Sequence, residues 1–187
     1  MQAGPLPALF LSKAAASLQK QQIGIELILG SHMPITPTNA FKGDQVTRFE
    51  RILKTREPEF FTDSRTNLET AIFPDVAGVQ ACVTCHNEHP SSPKTDWALN
   101  DVMGATTWSY PHKTVSEAEY LQIVAGVRRA FRDAYRSYLK EIESFENKPE
   151  IGAQWPADGF FVPNEETFMA AFEKEITIKT MNRRLPK

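Results

Sequence analysis

The stretch Cys82-Val83-Thr84-Cys85-His86 decides how this sequence is interpreted, because it contains the only two cysteines among 187 residues. Side chains three residues apart lie on the same face of a helical turn, so both thiols point the same way. They can then add to the two vinyl groups along one edge of a porphyrin, and the adjacent imidazole can bind the iron. This C-x-x-C-H spacing is the attachment signature of c-type haem. We therefore predict one covalently attached haem, with thioethers at Cys82 and Cys85 and with His86 as the proximal iron ligand.

Three other uses of the two cysteines stay open. A thioredoxin-like redox pair also has C-x-x-C, but it needs a helix after the pair, and Pro90 and Pro93 follow closely. A structural disulfide is a second alternative. A zinc site is the third, although no second C-x-x-C or H-x3-5-H half exists. Its further ligands would be two of three histidines, His86, His89 and His112.

The composition is that of an ordinary globular protein. Hydrophobic residues make up 41 % of the sequence and charged residues 24 %, which excludes wholesale disorder. The 21 Lys and Arg residues nearly balance the 23 Asp and Glu residues, so no nucleic-acid partner is expected. The most apolar stretch, residues 23–30, contains Glu26 and is far too short to span a membrane. The length favours one domain with an appendage.

Hydrophobic spacing predicts a mixed α+β fold. Strand-like runs cover residues 25–29, 59–62, 68–73 and 102–110, and residues 81–87 should form the haem-binding turn. Helical spacing covers residues 7–22, 115–145 and 167–185, and a short helix that begins at Asp44 is stopped by Pro58. An irregular linker is expected over 148–164. The apolar stripe of the helix at 115–145 suits packing on the domain, and its spacing also suits a homodimer seam.

The cysteine motif and its surroundings resemble a known family, the PAS-like monohaem c-type domain. The likeness rests on Cys82 to Trp97 (CVTCHNEHPSSPKTDW), on Asn100-Asp101-Val102-Met103-Gly104 and on Pro34-x-x-Pro37-x-Asn39-Ala40, and it covers roughly residues 8–112. Such domains occur as stand-alone haem proteins. They also occur as extracytoplasmic sensor modules ahead of nucleotide cyclases and histidine kinases.

The resemblance implies an α+β, PAS-like fold with a long N-terminal helix, an antiparallel sheet and short flanking helices. The haem would be held between the sheet and the loops. We expect residues 1–112 to form this haem domain. Residues 113–187 would be a helical C-terminal extension, packed on the domain or acting as a signalling helix.

Two departures from the family pattern bear on the sixth iron ligand. Some relatives place a cysteine on the N-terminal helix as second axial ligand, and the matching position here falls near Ser12, whose hydroxyl is a poor iron ligand. The family usually reads Asp-Val-Arg-Gly where this chain has Met103 in third place, so its distal arrangement is not carried over. We expect an open or water-occupied sixth site that can bind a diatomic gas.

Met103 is the alternative sixth ligand, because a thioether soon after the haem turn can reach the iron, unless it fills the core. Lys94 and Trp97 suit a haem propionate and the edge of the ring, and their alternative roles are an exposed lysine and a core tryptophan. The less favoured iron ligands are His32, Met33, His89 and His112.

The chain has no phosphate-binding loop, no nucleophile elbow and no dinucleotide motif, so we expect no enzymatic activity. The first functional hypothesis is a haem-c sensor domain of an extracytoplasmic signalling protein, responding to redox state or a diatomic gas. The second is a stand-alone monohaem electron-transfer cytochrome, and the third is a metal-free or zinc-bound redox module. The expected partners are a diatomic gas or a redox partner protein, with a homodimer through residues 115–145.

Thioether attachment of haem takes place outside the cytoplasm, so we expect a periplasmic or otherwise extracytoplasmic location. The N-terminal stretch lacks the basic region and cleavage site of a signal peptide. We therefore expect the parent protein to be longer, with membrane contact only through that parent.

Overall fold

A computed structural model describes residues 5–155 and 161–184, with side chains through residue 176. These residues form a mixed α+β fold with five α-helices and a four-stranded antiparallel sheet, as predicted. The elements in chain order are α1 (Pro7–Lys20), β1 (Glu26–Gly30), a single 3₁₀ turn (Pro37–Asn39), α2 (Asp44–Thr55), β2 (Glu59–Thr62), β3 (Glu69–Val76), α3 (Gln80–Glu88), β4 (Val102–Tyr110), α4 (Glu117–Ile142), β5 (Glu150–Gly152), β6 (Phe161–Pro163) and α5 (Glu165–Arg184).

The sheet has the strand order β1-β4-β3-β2, with β4 between β1 and β3. Residues that are paired across neighbouring strands lie on the same side of the sheet. Ile28, Thr107 and Ile72 form such a row across β1, β4 and β3. The predicted alternation along β4 is confirmed, because every second residue from Ala105 to Ser109 is buried while the residues between them are half-buried.

Helix α2 covers one face of this sheet. Its buried residues Phe49 and Ile52 pack in one cluster with Phe61, Ile72 and Ala105 from three strands. The helix ends where Arg56 takes a left-handed conformation, two residues before Pro58, which cannot continue a helix.

Helix α1 lies against β1 through a second cluster, in which Leu18, Leu27 and Ala130 are buried. Ala130 comes from α4, whose start is fixed by a capping box. Ser116 Oγ accepts from the backbone N–H of Glu119 at 3.3 Å, and Glu119 Oε2 accepts from that of Ser116 at 3.0 Å.

Strand β4 contains an irregularity that matters for the site. Asp75 faces Gly104 while Val76 faces Val102, so Met103 is an extra residue in β4 with no partner in β3. A bulge of this kind redirects one side chain out of the alternation of the strand. Beside it, a Cβ on Gly104 would lie 2.5 Å from the carbonyl oxygen of Gly30, so glycine is required for this close approach of β1 and β4.

Packing separates the chain into two compact units that divide within α4. Leu6–Ala130 forms one unit, and the described residues from Phe131 onward belong to the other. The predicted domain boundary after residue 112 stays a prediction.

The second unit contains the end of α4, the strands β5 and β6, and α5. Tyr135 stacks on Phe168 at a centroid distance of 3.8 Å and donates a hydrogen bond to the carbonyl of Pro163 at 2.6 Å.

The irregular linker predicted over 148–164 is wrong in part, because β5 and β6 pair in parallel there. Three-residue strands carry no periodicity that a sequence would reveal. Leu185, the predicted end of the last helix, lies outside the described residues.

Among the helices in the described ranges, none combines the length and the apolar character needed to cross a membrane.

Candidate functional site

The cysteine motif lies on α3, where the sequence predicts a haem-binding turn. Val79 is extended and the next residue begins the helix, which ends after Glu88 as His89 returns to an extended conformation. Cys82 is half-buried, Cys85 is exposed, and both are free thiols. The two thiols are therefore one helical turn apart and available for a covalent bond.

Cys82 packs against a small apolar cluster that positions α3. Its buried members are Ala77, Val83, Trp97 and Met103. Met103 is the bulge residue of β4 and is 6 % exposed, so the irregularity in the strand places this thioether beside α3. Met103 is buried in this cluster, and its expected role as sixth iron ligand stays a prediction.

The imidazole of His86 is enclosed on one side. Its Nδ1 atom is buried and has no hydrogen-bond partner within the described part of the chain. The ring lies edge-on to Trp97, with 6.4 Å between the ring centroids. Burial lowers the pKa of His86 against the opposing effect of the Asp75 carboxylate. A neutral imidazole is the form that binds iron, and Nε2 is the nitrogen left for it.

Asp75 is a site residue that the sequence interpretation missed. It lies near the end of β3, opposite Gly104, and is half-buried. Burial raises the pKa of its carboxyl, and the nearby His86 opposes that rise. A partly buried carboxylate therefore lies close to the imidazole that is predicted to bind iron. No motif includes it, because strand pairing and not spacing brings it to α3.

Asn87 is the second missed residue, and it fixes the position of Trp97. Its side-chain Nδ2 donates to the carbonyl of Trp97 at 3.0 Å, and its Oδ1 accepts from the backbone N–H of Trp97 at 2.9 Å. The residue that follows His86, the predicted iron ligand, therefore ties α3 to the loop over 89–99.

Lys94 and Trp97 lie in contact with each other, and their expected place beside a haem stays a prediction. Lys94 Nζ lies 4.7 Å from the centroid of the Trp97 ring and forms an ion pair with Asp96. Trp97 is 5 % exposed, and its Nε1 is buried without a hydrogen-bond partner in residues 5–155 and 161–176.

His32 is the third residue whose position could not be foreseen. Its ring lies 5.1 Å from that of Phe49 and 6.0 Å from that of Trp97, centroid to centroid. Burial, and then the Lys94 ammonium, lower the pKa of His32. The Pro-rich loop after β1 reaches this position because Ser31 Oγ donates to the carbonyl of Met103 at 2.6 Å.

Other sequence candidates lie away from this cluster. Ser12 is exposed on α1 and lines an open cavity of about 340 Å³ against β1, to which α3 contributes no lining residue. His89 Nδ1 accepts from the backbone N–H of Ser91 at 3.1 Å, and thus holds the following turn. His112 is exposed beside Tyr110.

The chemistry of these residues fits a haem. Two free thiols one helical turn apart and an adjacent imidazole match the two vinyl groups and the iron of a haem. In the described ranges no three His, Cys, Asp or Glu side chains converge as a zinc site would require.

Comparison with protein-family models matches residues 3–111 to the family described as Tll0287-like. No similar protein is found among those with curated functions, and no solved structure matches. The family match covers more than half of the sequence and includes α1, the whole four-stranded sheet and the cysteine motif on α3. This chain therefore belongs to the Tll0287-like family.

Proposed function

We propose that this chain binds one haem c and acts as a sensor of redox state or of a diatomic gas in an extracytoplasmic signalling protein. The observation that carries the proposal is the C-x-x-C-H motif on α3, with both thiols free and His86 beside them. The match to the Tll0287-like family and the resemblance of the motif to the PAS-like monohaem c-type domain both support a haem-binding role. A bound iron porphyrin would supply one-electron chemistry and a coordination position for a gas.

The chain's own residues would hold the haem in three ways. Cys82 and Cys85 would each hold it by a thioether, formed by addition of the thiol across one vinyl group, with the sulfur on one carbon and the hydrogen on the other. His86 offers a neutral imidazole, because burial disfavours its charged form. The apolar surface of Val83 and Trp97 would exclude water from that side.

A second function, electron transfer by a stand-alone cytochrome, is favoured by one observation. Met103 is a buried thioether next to α3, and ligation by His and Met would give a six-coordinate iron with a raised reduction potential. Both proposed functions are non-enzymatic. The remaining proposals are a periplasmic or other extracytoplasmic location, a redox partner protein in the electron-transfer case, and a homodimer through residues 115–145.

Covalent attachment is tested on protein matured in a host with the haem-attachment machinery. The expected result is an intact mass one haem above the polypeptide, with a pyridine haemochrome spectrum of the c type. Cys82→Ala combined with Cys85→Ala should remove the covalent haem. His86→Ala should alter the iron spectrum, whereas His89→Ala is the matched control and should not. A colourless protein at polypeptide mass contradicts haem binding.

Addition of carbon monoxide to the reduced protein separates the two functions. A shifted Soret band in the wild type shows an accessible sixth site and supports gas sensing. A six-coordinate spectrum that ignores the gas, and that becomes responsive in Met103→Leu, supports electron transfer instead.

A further inference from the structure

The indole nitrogen of Trp97 is a buried donor without an acceptor in the described part of the chain. Leaving such a donor unpaired destabilises a protein by about 1–3 kcal/mol, so buried N–H groups nearly always have partners. The other polar groups of Trp97 are satisfied, since Asn87 binds both its backbone N–H and its carbonyl. The side chain is thus held in place by its backbone, with only Nε1 left over.

A cation lies over the ring of Trp97. Lys94 Nζ lies 4.7 Å from the ring centroid, and the ring of His32 stands edge-on at 6.0 Å. The partner of Lys94 is Asp96, whose side chain is 85 % exposed and therefore a solvated counter-ion. A group that accepts from Nε1 here is also close to a cation, which favours an anionic acceptor over a neutral carbonyl.

We propose that Trp97 Nε1 and Lys94 Nζ form an anion subsite that binds one carboxylate of the haem. The assignment rests on the proposed haem binding. The indole donates a hydrogen bond to a carboxylate oxygen, and the ammonium on the same ring neutralises its charge. Trp97 thereby has two roles. Its ring packs against α3, and its N–H positions the cofactor.

The first test uses the three tryptophans of the sequence, which give only three indole N–H signals in a protein labelled with ¹⁵N-tryptophan. Matured, reduced protein under carbon monoxide is measured by NMR, and the signals are assigned with Trp108→Phe and Trp155→Phe. The Trp97 indole proton should exchange with solvent at least tenfold more slowly than that of Trp155, which is 52 % exposed, and should resonate downfield as a donor to an anion. A Trp97 indole signal at the position of an unbonded N–H overturns the assignment.

The second test is the reduction potential of the matured protein. Loss of a donor to a haem carboxylate leaves its negative charge less neutralised and stabilises the ferric state. At a fixed applied potential, Trp97→Phe should raise the ratio of oxidised to reduced protein at least threefold. This corresponds to a reduction potential lower by about 28 mV, at 59 mV per tenfold for one electron. Lys94→Met should shift it in the same direction, and Trp108→Phe, the matched control, should leave it unchanged.

A double-mutant cycle separates a shared carboxylate from general packing. If Trp97 and Lys94 bind the same group, the shift of the double variant differs from the sum of the single shifts. Additive shifts, or a coloured Trp97→Phe protein with an unchanged potential, overturn the subsite and leave haem binding intact. A protein without haem overturns the proposed function itself.

Discussion

Asn87 holds Trp97 by both backbone groups, with its side-chain amide acting as donor at 3.0 Å and as acceptor at 2.9 Å. This pair closes the loop over 89–99 onto α3, immediately after the predicted iron ligand. Any movement of α3 that followed a change at the iron would therefore reach Trp97 through two hydrogen bonds.

Asn87→Ala should lower the free energy of unfolding of the matured protein by about 2 kcal/mol, because two partly buried backbone groups lose their partner. Denaturant titration measures the change. Asn87→Asp keeps the acceptor for the Trp97 N–H and loses the donor, so its loss should be smaller. An Asn87→Ala variant as stable as the wild type would show that water replaces the amide.

Asp75→Asn should raise the reduction potential of the haem at pH 8. The negative charge of the Asp75 carboxylate near His86 favours the ferric state, and its removal takes that preference away. The expected change is on the order of 1 kcal/mol, about 43 mV for one electron. Spectroelectrochemical titration provides the measurement. Glu26→Gln, an exposed change at the far end of β1, is the control and should have no effect.

Gly104→Ala should destabilise the sheet, because the new Cβ would lie 2.5 Å from the Gly30 carbonyl oxygen, a backbone atom that cannot swing away. We expect a loss of about 1–3 kcal/mol in the free energy of unfolding. Gly78→Ala is the matched control, since its Cβ would meet nothing closer than 3.8 Å. Equal stability of the two variants would mean that β1 and β4 separate without penalty.

Asp44→Ala should lower the melting temperature at pH 7 and have no such effect at pH 2. Asp44 Oδ2 accepts from the backbone N–H of Ser64 at 2.7 Å, which joins the start of α2 to the turn between β2 and β3. This hydrogen bond lowers the pKa of Asp44 below its unfolded value. The stabilisation is therefore complete above the unfolded pKa and is lost as the pH falls through the lower, folded one.

Melting curves across that pH range measure the effect. Glu50→Gln removes one charge from the same helix without removing a hydrogen bond to a neighbouring turn, so its melting temperature should follow the wild type. A pH-independent difference between Asp44→Ala and the wild type would assign the effect to helix propensity.

Local patterns predicted most of the fold. The alternation along β4, the hairpin of β2 and β3 and the stop at Pro58 are all properties of a few neighbouring residues, and the structure confirms each of them. The parallel pairing of β5 and β6 escaped prediction, because it depends on two short segments meeting.

The motif on α3 could be recognised from local sequence alone. Cys82, Cys85 and His86 are close in the chain, so the helical repeat alone sets their spacing and identifies the ligand they suit. The residues that surround this motif could not be found in that way, because they are distant from it in the chain. Asp75 comes from a strand end, and His32 and Trp97 come from two different loops; strand pairing and hydrogen bonds bring them to one place. Contacts between distant segments depend on the whole fold, and no local spacing encodes them.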